Sequence, residues 1–273
     1  MKNKKILTSI TQSLLLSTGL LLSLSAGLAI GYVGGLVKDQ PVLTQKEMKD
    51  QINNISKNSE VYFGTGEKLG TLNSELIRKT VNYEDLGENV KNATIASEDS
   101  NFYSNNGVEI FGLIRAVYSE VTGAHTSGGS TITQQLVKNQ LLDNSRSYER
   151  KAKEILLALR VDNHFSKKEI LENYLNVASF GKNSLGQNIS GIETAAQGVF
   201  GTHAKDLNVA QAAYLVGFVQ SPYRYTPFDN AGNIRPDEEL QAGIERQKYV
   251  LSRMKANNFI NSSQYKEALD FDI

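Results

Sequence analysis

Cysteine and tryptophan are absent from the 273 residues, and there are only four prolines and three histidines. Without cysteine the protein has no disulfide framework, no thiolate metal site and no cysteine nucleophile. The 29 basic and 29 acidic residues balance, which argues against a generally basic nucleic-acid binder. Hydrophobic residues make up 40% of the chain, which predicts a sizeable core rather than wholesale disorder.

Charge is also absent from one long stretch, which runs from Ile6 to Val37. A membrane-spanning helix needs about 20 predominantly apolar residues, and Leu14 to Val33 is the best window. The lysines at positions 2, 4 and 5 all precede the run, so the positive-inside rule places the N-terminus in the cytoplasm. We predict a cytoplasmic tail and transmembrane anchor over residues 1–37, with the rest of the chain extracytoplasmic.

A cleaved signal peptide is the alternative, because serine and alanine are plentiful from Ser23 to Ala29. The apolar region of a signal peptide usually covers about 7–15 residues. The uncharged run is longer than that, which favours an uncleaved, single-pass anchor in the cell membrane. Both readings place the remaining residues outside the cytoplasm.

The remaining sequence predicts a mainly α-helical protein. Residues 38–59 are polar and indicate a stalk, part of it helical, and residues 60–273 are assigned to one domain. Two short extended runs flank Gly64-Thr65-Gly66 and predict a hairpin, and Arg78 to Tyr83 is a further candidate strand. Apolar spacing predicts helices over the following ranges: Glu88 to Asp99, Ser130 to Leu142, Ser147 to Phe165, a helix capped by Ser166, Glu238 to Lys255 and Ser262 to Leu269. Ala195 to Phe200 and Leu207 to Val219 are apolar and rich in alanine, which predicts that they are buried.

The first chemical candidate is the carboxylate pair Glu98-Asp99 at the end of a predicted helix. Adjacent carboxylates repel each other and burial raises their proton affinity, so such a pair is able to supply a general base. An exposed acidic helix end is the alternative.

The second candidate is the segment from Gly128 to Asn139, in which glycines lead into a predicted helix. Such a loop offers free backbone N–H groups to an anion. Ser130, Gln134 and Lys138 are spaced to share one helical face. A polar amphipathic helix after a flexible loop is the alternative.

The third candidate is Arg150-Lys151-Ala152-Lys153-Glu154. A basic ridge that contains one carboxylate suits a phosphate-bearing ligand and a divalent cation. A surface ion pair between Arg150 and Glu154 is the alternative.

Taken in order, these segments resemble the peptidoglycan glycosyltransferases of family 51, which form the transglycosylase module of class A penicillin-binding proteins and also occur as monofunctional enzymes. The likeness runs from about Tyr62 to the C-terminus. The family's first motif, Glu-Asp-x-x-Phe-x-x-His-x-Gly, lacks only its histidine, which is replaced by Asn105. The other matches are Gly128 to Asn139, Arg150-Lys151 with Glu154, Asp162, Glu169 to Asn176, and Arg246.

The resemblance implies a lysozyme-like fold with two lobes and a small β-hairpin region. The smaller lobe, the jaw, partly enters the membrane in this family, and we assign it to residues 103–128. The apolar stretch from Val108 to Tyr118 would be its membrane-facing part, and a buried core helix is the alternative.

The implied activity is polymerisation of lipid II. The donor is the glycan chain on undecaprenyl pyrophosphate and the acceptor is lipid II, whose GlcNAc 4-hydroxyl attacks with inversion. Carried over by the resemblance, Glu98 is the general base. Glu154 is a second catalytic carboxylate, which would act either through a bound Mg²⁺ or Mn²⁺ or by holding the basic side chains in place. No organic cofactor is implied. The substrate-binding residues are Asp99, Ser130, Thr131, Gln134, Gln135, Lys138, Arg150, Lys151 and Arg246.

Two other functions stay open from the sequence. A lysozyme-like glycan hydrolase would also use a catalytic glutamate, but it would not need the basic cluster at Lys138, Arg150 and Lys151. An inactive scaffold of the same fold is the second alternative.

We find no transpeptidase domain in this chain, so it is either monofunctional or the N-terminal portion of a bifunctional protein. The implied partners are the two lipid-linked glycans, the membrane and other proteins of cell-wall synthesis, with no nucleic acid.

Overall fold

The computed structural model describes residues 16–20, 23–24, 27, 31, 34–35, 38, 43–55, 60–65, 67–71, 76–109, 112, 129–143, 145 and 147–273. Within this part of the chain, no helix is both long and apolar enough to cross a membrane. Most of the cytoplasmic tail and anchor predicted over residues 1–37 lies outside the described residues. The same holds for most of the jaw predicted over residues 103–128.

Helices dominate the described part of the chain after residue 43, as the sequence predicts. They are α1 (Gln45–Asn53), α2 (Glu88–Glu98), α3 (Ile132–Gln140), α4 (Tyr148–His164), α5 (Lys167–Val177), α6 (Ile192–Phe200), α7 (Val209–Phe218), α8 (Pro222–Tyr225), α9 (Asp237–Ala256) and α10 (Ser262–Asp270). Short 3₁₀ turns lie at Tyr83–Asp85 and Ala204–Asp206.

Side-chain caps fix where the helices near the site begin. Ser147 accepts a hydrogen bond from the Arg150 N–H, and Ser166 forms a reciprocal capping box with Glu169. Both caps confirm predicted helix starts.

Thr131 is the N-cap of helix α3, which confirms the prediction that a serine or threonine opens this helix. Ser130 therefore precedes the helix, and the predicted common face of Ser130, Gln134 and Lys138 is wrong. Gln134 is completely buried, whereas Lys138 is exposed.

The core is built from two groups of helices. Helix α9 packs against α7 and α2, and α3 packs against α4 and α5. The fully buried side chains include Phe102, Leu136, Tyr174 and Phe218. Helix α2 belongs to the first group and α3 to the second. The end of α2 meets the start of α3 where the two groups adjoin.

Strands make up two small sheets. Strands β1 (Glu60–Tyr62) and β2 (Lys68–Thr71) pair antiparallel and confirm the predicted hairpin. A second sheet has the order β3-β5-β4, with β3 (Leu76–Arg78) parallel to β5 (Asn188–Ser190) and β4 (Ser179–Lys182) antiparallel to it. The strand predicted from Arg78 to Tyr83 is misplaced, because β3 ends at Arg78.

The predicted stalk contains helix α1, which packs on the domain. Met48 and Ile52 lie one turn apart on α1 and are fully buried in the core. The ammonium of Lys49 lies over the ring of Phe165, 5.6 Å from its centroid. Residues 45–53 therefore share the core of the domain that follows them.

Candidate active site

Glu98 is the last residue of α2, and its carboxylate is held from two sides. Gln135 on α3 donates from Nε2 to Glu98 Oε2 at 3.0 Å, and Arg246 on α9 donates from Nη2 to Oε1 at 3.4 Å. The Glu98 side chain is 11% exposed. Both of its oxygens therefore have a donor, and the carboxylate still reaches solvent.

Tyr174 fixes the orientation of the Gln135 amide. Its phenol donates to Gln135 Oε1 at 3.1 Å, so the amide nitrogen is the group that faces Glu98. Burial, together with the negative charges of Glu98 and Asp99, raises the pKa of Tyr174 well above its ordinary value. The phenol therefore stays a neutral donor at physiological pH. The sequence did not single out Tyr174 as a site residue.

Asp99 follows Glu98 directly, but its carboxylate turns inward. It accepts hydrogen bonds from the Asn105 amide at 2.9 and 3.0 Å and from the Ile132 N–H at 3.1 Å. Burial raises the pKa of the Asp99 carboxyl, and these donors oppose that shift. The two adjacent carboxylates thus have different surroundings, and Asp99 connects the end of α2 to the first turn of α3.

Asn105, which stands where the resemblance predicts a histidine, belongs to a polar network that includes Asp99. Its Oδ1 accepts from the Gly107 N–H at 2.9 Å, and its backbone carbonyl accepts from Lys167 Nζ at 2.8 Å. Lys167 also pairs with Asp162 at 2.5 Å. This network links the loop after α2 to α4 and α5. Lys167 was not identified from the sequence, although it follows the Ser166 cap directly.

The start of α3 has little free capacity for an anion. The Thr131 N–H donates to Gln134 Oε1, the Ile132 N–H donates to Asp99 and the Gln134 N–H donates to Thr131 Oγ1. The expectation that this loop offers free backbone N–H groups is therefore wrong at these three positions. Anion binding here would fall to side chains.

Glu154 is buried on α4 beside cationic and amide donors. Gln134 Nε2 donates to its Oε1 at 3.2 Å, and the ammonium of Lys151 pairs with the same oxygen. Lys151 also donates to Ser130 Oγ at 3.1 Å. Because the Lys151 side chain is 40% exposed, its ammonium is presented to solvent beside Ser130. We call Ser130, Gln134, Lys151 and Glu154 the lysine cluster.

The other predicted cations lie outside the lysine cluster. Lys138 is exposed in the last turn of α3, and Arg150 donates from Nη1 to the carbonyl of Asp143 at 3.0 Å. Arg246 lies on the Glu98 side, with its guanidinium over Tyr249 at 4.4 Å from the ring centroid. Its Nε is buried without a hydrogen-bond partner among the described residues.

An open cleft of about 340 Å³ lies at the end of α2. Its lining includes Glu98, Asp99, Ser130 and Thr131 together with two residues of α9. The α9 residues are Tyr249 and Arg253, and Arg253 donates to the Ala96 carbonyl at 3.3 Å. Neither was singled out from the sequence, although Arg246, Tyr249 and Arg253 recur at helical spacing, which was the available signal.

Comparison with known proteins gives a consistent result. A family model described as Transglycosylase matches residues 65–255. Penicillin-binding protein 1A of Clostridium perfringens is 35% identical over 257 residues, which is 92% of this chain and 36% of that protein. Penicillin-binding protein 1A of Aquifex aeolicus is 38% identical over 213 residues, which is 78% of this chain and 27% of that protein.

Penicillin-binding protein 2a of Streptococcus pneumoniae is 34% identical over 255 residues, or 93% of this chain and 32% of that protein. The chain thus spans about a third of the length of these relatives. Among solved structures, penicillin-binding protein 1A from Haemophilus influenzae aligns with 80% of this chain and 21% of that chain at 20% identity. Its TM-score of 0.43 is too low to bear on the fold.

Proposed function

The chain belongs to the transglycosylase family, and we propose that it is a peptidoglycan glycosyltransferase that polymerises lipid II into glycan strands. The observation that supports this most strongly is the pair of neighbouring glutamines on α3. Gln134 contacts Glu154 and Gln135 contacts Glu98. A carboxylate able to accept a proton and a cationic cluster able to bind an anion therefore lie beside each other at the start of one helix.

In the proposed reaction, the GlcNAc 4-hydroxyl of lipid II attacks C1 of the terminal MurNAc on the lipid-linked chain. The bond between that oxygen and C1 forms as the bond from C1 to the diphosphate oxygen breaks. The electron pair leaves with the diphosphate, and the α-linked sugar becomes β-1,4-linked. Glu98 takes the hydroxyl proton, because it lines the open cleft and its donors fix its orientation.

The lysine cluster and its neighbours would bind the donor's diphosphate. The exposed ammonium of Lys151, held by Glu154 and Ser130, would meet the charge that develops on the leaving group. Exposed Lys138 and half-buried Arg150 would extend this binding surface. Asp99, Thr131 and Gln134 are buried, so we assign them to positioning these groups, whereas Ser130 and Gln135 border the substrate directly.

A divalent cation, Mg²⁺ or Mn²⁺, remains part of the proposal. Among the described residues, no group of three histidines and carboxylates is placed to hold a metal ion. Mg²⁺ is often bound by one or two carboxylates together with substrate phosphates. Glu154 fits that pattern, because Gln134 and Lys151 both contact its Oε1 and Oε2 would be the oxygen that meets the cation. When bound, the cation would add positive charge at the diphosphate. The residues present do not call for an organic cofactor.

The proposed substrates are lipid-linked, which suits a membrane-anchored enzyme. We propose that residues 1–37 form the cytoplasmic tail and a single-pass anchor, with the domain outside the cytoplasm, on the basis of the uncharged run and its preceding lysines. The jaw would add a second membrane contact. Other proteins of cell-wall synthesis are proposed as further partners.

The central experiment is Glu98→Gln in the full chain, assayed with labelled lipid II by gel separation of glycan strands. We expect the polymerisation rate to fall by about a hundredfold or more, because a positioned general base contributes at least that much. Glu88→Gln is the matched control, since Glu88 opens the same helix and its side chain is 78% exposed. A normal rate in Glu98→Gln would contradict the assignment of the base.

The same preparation distinguishes the alternatives. A glycan hydrolase would shorten preformed strands and leave lipid II unchanged, whereas an inactive scaffold would alter neither. Strand growth from lipid II alone is the result that our proposal expects.

A further inference from the structure

Helix α4 has apolar residues on two sides. One side carries Ala158 and Val161, which are fully buried in the core. The other side carries Tyr148, Leu156 and Leu159, which are 72%, 37% and 42% exposed. At about 100° per residue these three fall within about 80° of one another around the helix. We call them the outer face of α4. Ala152 falls within the same arc but is buried, so the exposed part of this face consists of these three larger side chains. Clustered large apolar side chains that stay exposed mark an interaction surface.

The N-terminal segment leaves the domain beside this outer face. Arg160 follows Leu159 directly, lies one turn from Leu156, and donates from Nη2 to the Leu43 carbonyl at 2.5 Å. Six residue steps separate Leu43 from Val37, where the uncharged run ends. Six steps span at most about 20 Å. If the run crosses the membrane as far as Val37, Leu43 lies within that distance of the bilayer surface, and the outer face of α4 is offset from Leu43 by the Arg160 side chain.

From this placement we propose that the outer face of α4 rests on the lipid bilayer, as a membrane contact separate from the jaw. The proposal rests on the membrane anchoring proposed above. Tyrosine favours the membrane–water interface, where its ring is buried and its hydroxyl stays hydrated. Arg160 borders the same face and suits the negative headgroups of the bilayer.

The contact has a consequence for the site. Lys151 and Glu154 lie on α4 itself. At about 100° per residue, Glu154 falls on the far side of the helix from the outer face, and Lys151 lies between the two sides. A helix with its side chains is about 10–12 Å across, so a bilayer under the outer face would hold the lysine cluster within about one helix diameter of the lipid. The diphosphate of a lipid-linked sugar protrudes to that level, so the contact would bring the leaving group to its binding residues.

The absence of cysteine allows a direct test by spin labelling. Leu156→Cys and Leu159→Cys are each labelled in the full chain, which is then reconstituted in phosphatidylglycerol–phosphatidylethanolamine vesicles. We expect the spin label at each of these two positions to collide more often with oxygen than with a water-soluble nickel chelate, as a label in contact with lipid does. Leu185→Cys is the matched control, because this leucine is 73% exposed in the turn between β4 and β5. That position should favour the nickel chelate.

Two results would overturn the proposal. Labels at 156 and 159 that behave like the label at 185 would place the face in water, and labels shielded from both reagents would show that protein covers it. Thermal unfolding of each labelled chain confirms that it is folded. These readouts do not depend on catalysis, and strand growth measured on the same vesicles shows separately whether the proposed activity is present.

The second arm is the double variant Leu156→Gln/Leu159→Gln. We expect its polymerisation rate with vesicle-embedded lipid II to fall by about tenfold, because two leucines would no longer favour the lipid phase. With detergent-dispersed lipid II the rate should match that of Leu185→Gln. Equal losses in vesicles and detergent would contradict a membrane role for these leucines.

Discussion

Gln134 and Gln135 are neighbours in sequence and chemically identical, yet their amides serve different carboxylates. Gln134 is fixed by the capping box at the start of α3 and donates to Glu154. Gln135 is fixed by the buried phenol of Tyr174 and donates to Glu98. Amides suit these positions because one group both accepts and donates. At the residue scale, the site depends on the groups that set these two amide orientations.

Tyr174→Phe tests this orientation. Without the phenol, the Gln135 oxygen loses its donor, and the amide is no longer held with its nitrogen toward Glu98. We expect the polymerisation rate to fall about tenfold, which corresponds to about 1.4 kcal/mol, the size of one hydrogen bond. Tyr214→Phe is a suitable control, since Tyr214 is another buried tyrosine, on α7. Similar rates in the two variants would argue against a role for Tyr174 in the site.

At the element scale, the loop after α2 approaches α4 more closely than a side chain allows. Gly107 has φ +83°, and a Cβ there would lie 2.5 Å from the Ala158 carbonyl and 2.8 Å from the Asp162 Cβ. Its own carbonyl accepts from Thr131 Oγ1 at 2.6 Å. The glycine therefore brings the first motif, the N-cap of α3 and the backbone of α4 into direct contact.

Gly107→Ala is expected to lower the free energy of unfolding by about 3 kcal/mol or more, because left-handed backbone strain adds to a clash with rigid backbone. Gly201→Ala separates the two contributions. Gly201 also has a positive φ, +65°, but a Cβ there would meet nothing within 4 Å. That control should lose only about 1–2 kcal/mol. Urea unfolding measures both, and equal losses would show that the close approach to α4 carries no cost.

The helices could be predicted because their signals are local. Ser147 and Ser166 mark the helix starts, and the apolar spacing that follows gives the length. The sheet β3-β5-β4 could not be predicted in the same way. Its strands have only three or four residues, and its pairing depends on distant parts of the chain, since Arg78 pairs with Ser190. The site follows the same rule. Its motif residues were visible, but the tie from Lys167 to Asn105 and Asp162 exists only once three elements pack together.

At the scale of the whole molecule, the segment between the predicted anchor and the domain contributes to the core. The sequence of residues 38–59 is polar enough to indicate a stalk, but Met48 and Ile52 recur at helical spacing and are fully buried. Thr44 caps the helix that carries them, and the Leu43 carbonyl accepts from Arg160 on α4. The buried residues of α1 and the hydrogen bond from Arg160 to Leu43 therefore fix the position at which the chain enters the domain.

Two truncations test how far this contribution extends. A chain that begins at residue 43 retains α1, whereas a chain that begins at residue 60, the predicted domain boundary, lacks it. We expect the shorter chain to lose several kcal/mol in the free energy of unfolding, because removing even one large buried side chain costs about 2–5 kcal/mol and Met48 and Ile52 are both lost. Urea unfolding of the two chains gives the difference directly. Equal stability would mean that α1 rests on the domain without supporting it, and that residue 60 is the true start of the folding unit.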